Sequence, residues 1–316
     1  MRRALLPAGL LALAPSAALA AAAQTGAAVL RLPLSASVAA MGQACASLGY
    51  GVSSMGVNAA GVAAAPAPQL ETTFHSGVLS DAFGFVGYAH PTRYGTPFAG
   101  VAYYNSGTVN LVFSNGTQNT VTAEEDFIEM LGWALPLGGG VTAGVLGRAY
   151  RFTLAQEASA TGFAGDAGLQ WATPLRGLRL GAAVQNAGPG VKFEQASDPL
   201  PLTGRAGASY TLDWRPDSDP HSVVGSYYSA AHLTFSADAV KVRDETAYAA
   251  AAGAFAIDVG SSASIVARLG FDFNPQAASG LSYGLGLREG RFTLDYTQAG
   301  AGELGNVQYV SLGMRF

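Results

Sequence analysis

From residue 69 onward, apolar and polar positions alternate. Leu178, Leu180, Ala182 and Val184 stand against Arg179, Gly181 and Gln185. Ala206, Ala208, Tyr210, Leu212 and Trp214 stand against Arg205, Gly207, Ser209, Thr211 and Asp213. Near the end, Val310, Leu312, Met314 and Phe316 oppose Tyr309, Ser311, Gly313 and Arg315. A period of two sends one set to each face of a sheet. Runs of this kind predict strands over 69–78, 83–90, 97–105, 127–137, 141–153, 164–172, 178–186, 205–214, 232–241, 246–257, 264–273, 280–288, 291–297 and 307–316, about fourteen in all. The period is poor in 127–137, where Glu129 shares a face with Phe127 and Leu131.

Alternation alone fits a soluble sandwich or a barrel in lipid, because both have one apolar face. Composition separates them. The chain is 49% hydrophobic and 12% charged, with 41 glycines. Soluble domains carry about twice that charge. No stretch after residue 23 offers the roughly 20 unbroken apolar residues of a spanning helix; the nearest, from Ala247, is cut at Asp258. Low charge without such a stretch predicts an all-β fold, a transmembrane antiparallel β-barrel.

The spacing of the runs supports this. Barrels have short turns at the periplasmic end and longer loops outside. Short connections are expected at 138–140, 173–177 and 289–290, and longer ones at 106–126, 154–163, 187–204 and 298–306. The segment 215–231 breaks the rule, as a periplasmic excursion or as a strand pair within 223–228.

Met1-Arg2-Arg3, the apolar run from Ala4 to Ala14 and Ala18-Leu19-Ala20 read as a cleaved signal peptide over 1–23, hence export. Residues 24–68 are rich in Ala, Gly and small residues, with Pro66 and Pro68 at the close. Such a segment suits neither a lipid-facing strand nor a solvated tail. It is expected to be a plug inside a barrel formed by 69–316. Cys45 is the only cysteine, so no internal disulfide can form, and it reads as a small packed residue.

Met41-Gly42-Gln43-Ala44 and Asn58-Ala59-Ala60-Gly61-Val62-Ala63 resemble the N-terminal signature of the FadL-type barrels, and more closely that of their PorV/PorQ-like branch. Met41, Gly42, Ala44, Leu48, Ser53, Asn58, Ala60, Gly61 and Ala63 match. Tyr50-Gly51 replaces an acidic pair and Ala59 replaces a proline. The resemblance implies that this motif folds into the barrel as a plug. It continues through Val184-Gln185-Asn186-Ala187-Gly188 and Arg205-Ala206-Gly207. Tyr309, Leu312, Met314 and Phe316 resemble the C-terminal assembly signal of outer-membrane barrels.

Catalytic and metal chemistry find no support. His75, His90, His221 and His232 show no metal-ligand spacing, and Gly138-Gly139-Gly140 lacks a following Lys-Ser/Thr, so it is a turn. Arg148, Arg179, Arg205, Arg268, Asp166, Asp238 and Asp272 are candidates to line the lumen and pair there. Neither an enzyme nor a nucleic-acid binder is expected, and no cofactor. The expected partners are outer-membrane lipid and the barrel-assembly machinery. The PorV/PorQ resemblance implies a partner in protein secretion or surface attachment. The broader FadL-type resemblance implies uptake of a hydrophobic ligand, which needs an apolar path from the outer loops to a lateral opening or the plug. Short polar outer loops (156–161, 298–306) favour the first.

Overall fold

The structure, a computed structural model, describes residues 27–77, 81–112, 116–193, 197–214, 230–259, 262–275, 280–300 and 305–316. The expected leader and most of the irregular segment 215–231 lie outside the described residues.

The described residues form eighteen strands, in chain order: β1 Gln69–Ser76, β2 Ala82–Ala89, β3 Thr96–Asn105, β4 Thr108–Val112, β5 Gln118–Thr122, β6 Glu124–Gly138, β7 Val141–Leu154, β8 Ala158–Ala172, β9 Leu178–Ala187, β10 Val191–Lys192, β11 Ser197–Asp198, β12 Thr203–Trp214, β13 Ala230–Val242, β14 Tyr248–Val259, β15 Ala263–Asp272, β16 Leu281–Glu289, β17 Phe292–Gly300 and β18 Asn306–Arg315. Fourteen close into an antiparallel barrel in the order β1-β18-β17-β16-β15-β14-β13-β12-β9-β8-β7-β6-β3-β2. β1 and β18 seal it, Gln69 opposite Arg315 and Ser76 opposite Gln308. Closure leaves no unpaired edge, which is what backbone needs in lipid.

The faces sort as the period of two requires. Leu131, Phe163 and Leu285 point outward and are 71%, 66% and 62% exposed. Arg148, Asp166, Gln170, Arg205 and Asp238 point inward and are buried. An apolar surface of this extent around a whole molecule is unstable in water and stable against acyl chains. Among the described residues no helix is long and apolar enough to cross a membrane.

Three expectations need correction. The loop expected over 154–163 is a turn of Ala155, Gln156 and Glu157, because β8 begins at Ala158 and pairs with Leu154. Ala158, Ala160 and Gly162 carry too little hydrophobic signal to announce a strand. β6 likewise starts at Glu124, three residues early, where acidic residues read as loop. The connection after β3 is not plain loop: β4 and β5 form a hairpin that extends the β3–β6 pair.

Residues 27–68 occupy the lumen. They form short 3-10 helices at Ala28–Arg31, Gly51–Gly56 and Ala59–Ala64, and one helix α1, Ala36–Ala40. Ser35 caps α1, its hydroxyl accepting the Ser37 N–H at 3.3 Å. Asn58 caps the last 3-10 helix through the Ala60 N–H, 3.1 Å. Ala59 takes the first position of that helix, where a proline would also fit. The cap therefore holds the turn without the motif's proline.

Candidate functional site

The segment is held by wall side chains that answer its backbone. The Ala36 N–H donates to Ser311 Oγ (2.8 Å) and Thr297 Oγ1 donates to the Ala36 carbonyl (2.6 Å). The Ala46 N–H donates to Asp238 Oδ2 (2.9 Å), and Gln170 Nε2 donates to the Ala46 and Leu48 carbonyls (3.0 and 2.8 Å). Gln185 Nε2 reaches the Gly56 carbonyl (2.7 Å), and one Arg205 guanidinium nitrogen the Gln43 carbonyl (2.7 Å). Irregular backbone at membrane depth must find such partners. Asn58 Nδ2 adds bonds to the Ala46 and Leu169 carbonyls, tying segment to itself and to β8.

Shape reinforces these bonds. A Cβ on Gly270 of β15 would lie 2.2 Å from the backbone of Met41 and Gly42. One on Gly144 of β7 would lie 2.3 Å from the Ala59 backbone. Inward glycines thus mark where segment and wall touch backbone to backbone. The sequence shows these glycines only as part of a glycine-rich composition, with no signal for which of them face the segment.

Met41, Ala44 and Ala60 are fully buried, and Gly42 has φ +54 against Phe271. Ser53 donates to Glu71 Oε2 on β1 (2.6 Å). Gly61 packs on Ser54. The motif residues are therefore spread through the lumen and do not converge on one point. At the C-terminal end, Leu312 and Phe316 face outward, and Met314 shares their face. Tyr309 faces inward, stacked on His75 at 4.5 Å and packed against Ala36 and Ala39. It belongs to the seat of the segment and not to the outward face.

Five of the seven charged candidates form pairs, whereas among the described residues Arg179 and Asp272 make no ion pair and Asp272 Oδ1 accepts the Asn274 N–H at 2.9 Å. Arg148 clamps Asp166 Oδ2 with two nitrogens at 3.0 and 2.5 Å, both residues buried. Arg205 lies 3.6 Å from Asp238, and Arg268 binds Asp295 at 2.5 Å. Arg31, at the start of the segment, binds Glu245 in the β13–β14 loop. His232 bridges Asp213 (2.8 Å) and Asp258 (3.1 Å).

Among the described residues a cavity lies on each side of the segment. The far chamber, at the end away from the β1 start, has a volume of ≈330 Å³. Leu30, Leu32, Pro33, Val242, Leu281 and Tyr309 give it apolar walls; Gln185, Asn186, Thr203, Arg205, Tyr248 and Asp272 give it polar ones. The near vestibule, ≈350 Å³, is lined by Tyr50, His232, Asp258, Arg268, Arg288 and Asp295. Val38, Met41, Cys45, Leu48 and Val57 cluster between them. Burial pushes the Cys45 thiol and the Tyr50 hydroxyl far above their usual pKa ranges, so both stay neutral there.

A third hollow, ≈620 Å³, lies on the outer face over β7, β8, β9, β12 and β13. Val145, Leu169, Val184, Ala206 and Ala239 line it. Strands β9, β12 and β13 line both this groove and the far chamber, the chamber through Gln185, Asn186, Thr203, Arg205 and Val242.

No protein-family model matches the sequence, and no curated protein does. Solved structures share the fold. The Ralstonia pickettii toluene transporter TbuX aligns at a TM-score of 0.53 and 12% identity, over 90% of this chain and 98% of its own. The P. putida toluene transporter TodX gives 0.54 and 12%, over 88% and 97%. A Pseudomonas aeruginosa FadL homologue gives 0.50 and 11%, over 89% and 98%. The chain has the closed fourteen-stranded barrel of FadL-type outer-membrane channels.

Proposed function

We propose that the chain is an outer-membrane uptake channel of the FadL type, taking small hydrophobic molecules across the bilayer. One observation carries this reading. Within a closed wall, a packed segment blocks the straight path and leaves a chamber of ≈330 Å³ on its far side. An open diffusion pore has no such block. A chamber of this size holds a small molecule, near the lower bound of about 300 Å³ for ligand pockets. The apolar groove behind β9 and β12 supplies the lateral side of a route into lipid. The toluene transporters that share the fold support uptake over the secretion role implied by the PorV/PorQ resemblance. Fold alone would not carry it.

In this reading residues 1–23 export the chain and are removed, 24–68 are the plug, and 69–316 are the barrel. Met41, Gly42, Ala44, Ser53, Asn58, Ala60 and Gly61 build the plug's turns and contacts. The outward face of Leu312, Met314 and Phe316 is offered to the assembly machinery, and neither metal nor cofactor takes part.

The test is uptake of labelled toluene by cells stripped of their own channels of this type. Expression should raise the initial rate above that of cells with empty vector. An unchanged rate, with the protein folded in the outer membrane and exported proteins co-purifying with it, would favour the secretion role.

A further inference from the structure

Strand β14 runs past both chambers. Tyr248, at its start, lines the far chamber, and Ala254 and Ala256 line the near vestibule. Phe255 faces outward, so the even-numbered residues of β14 point inward. Ala250 and Ala252 are therefore the inward positions that remain between the chambers. Opposite them in register stand Asp238 and Ser236 on β13, and Asp272 and Gly270 on β15. From Ala250 to Ala256 the inward side of this strand presents nothing larger than a methyl group.

Among the described residues, the hydrogen bonds that moor this part of the segment flank the alanine stretch. On the β16 side the Gly42 N–H donates to Ser282 Oγ at 3.1 Å. On the β13 side the Ala46 N–H donates to Asp238 Oδ2 at 2.9 Å. Gln43, Ala44 and Cys45 bridge the two moorings. The alanines of β14 have no donor or acceptor in their side chains, and the strand's backbone is paired with β13 and β15. The contact here is apolar: Val38, Met41, Cys45 and Leu48 cluster with Ala254, and Ala252 and Val266 pack against them. Parting this contact breaks no hydrogen bond. Parting the segment from Asp238, Ser282, Gln170 or Gln185 strips a bond from buried backbone. Met41 makes the contact adaptable, because an unbranched thioether side chain repacks readily.

We propose that small apolar molecules cross from the far chamber to the near vestibule along this seam, between residues 41–45 of the segment and Ala250, Ala252 and Ala254 of β14. Ala252 and Met41, one on each bank, set the width that is admitted. The crossing is a rearrangement of side chains and not a standing tunnel, since Met41 and Ala250 are fully buried when the seam is empty. This rests on the uptake reading above and names its crossing point.

Uptake of labelled toluene is compared in cells expressing the full-length wild type, Ala252→Leu, and Ala252→Leu with Met41→Ala. Heat-modifiable gel migration checks that each is folded. Ala252→Leu should bring the initial rate down to that of empty vector, because leucine fills the seam from the wall side. Adding Met41→Ala should restore uptake, because it vacates space on the opposite bank, and should leave planar-bilayer conductance at the wild-type level. Wild-type uptake by folded Ala252→Leu would overturn the seam and leave the uptake reading standing. A loss that Met41→Ala fails to restore, or restores only with raised conductance from a displaced segment, would do the same. If Ala252→Leu does not fold, Met41→Ala alone decides. Its rate for labelled naphthalene relative to toluene should exceed that of the wild type, and an equal or lower ratio would overturn the seam. Wild-type uptake no faster than empty vector would overturn both readings.

Discussion

At Gly270 a single missing methyl group decides whether the lumen can be filled. A Cβ there meets the Met41–Gly42 backbone at 2.2 Å, and neither side is a flexible side-chain end. Gly270→Leu should therefore lift the neighbouring turn off the wall. Cys45, fully buried three residues on with its thiol kept neutral, reports the change. In the wild-type barrel a membrane-impermeant maleimide should label it slowly, and quickly after unfolding. In Gly270→Leu native labelling should speed up. Fast labelling of the native wild type would mean that Cys45 is reached from solvent without any displacement.

The Arg148–Asp166 pair makes a second residue-scale prediction. Both groups are buried, and Asp166 also holds the Asn186 N–H. Asp166→Ala leaves a buried guanidinium alone, which costs about 3–5 kcal/mol. Replacing both partners with apolar residues should cost less than removing one. The midpoint of thermal unfolding, read from heat-modifiable migration, compares the three variants. A single variant as stable as wild type would show the pair to be dispensable.

Among the elements, the barrel strands were legible where inward and outward residues differ in polarity. In β12, Arg205 and Ser209 against Tyr210 and Leu212 state both faces plainly. In β8 the signal fails before Phe163, because Ala158, Ala160 and Gly162 are small on the inward side. In β6 it fails at Glu124 and Asp126, where inward carboxyl groups close to the strand end look like loop. The bulge at Asn186, where the β8–β9 register shifts, was not legible either. It depends on Asp166, twenty residues away, and on Arg148 beyond that. The small residues of 24–68 suggest close packing, but the wall groups that receive them (Asp238, Gln170, Gln185, Arg205) are scattered over 69 residues of sequence, Gln170 to Asp238. No local pattern announces contacts of that range. The near vestibule and its His232 bridge are hidden for the same reason.

The segment as an element has its own test. Removal of residues 35–66 takes out α1 and two 3-10 helices but no barrel strand. The barrel should still assemble, because its ladders run wall to wall, and conductance in planar bilayers should rise well above that of the intact chain. Equal conductance would show that something other than this segment limits the lumen.

For the whole molecule, the closed ladder and the apolar outer face together predict a barrel that stays folded in detergent and migrates anomalously until boiled. In the proposed uptake reading, the chambers on either side of the segment make it a gated route and not a sieve. That reading expects a small molecule to enter at the far chamber. The hydrocarbon channels that share this barrel are about as distant in sequence as unrelated proteins, so the chamber's own residues must carry the claim. The measurement that bears on it most directly is a crystal of the mature protein soaked with 4-iodophenol, read by the anomalous signal of iodine. The account predicts one dominant peak inside the barrel, among Leu30, Asn186, Val242 and Tyr309. Iodine found only in the detergent belt around the outer face, with the far chamber empty, would contradict it.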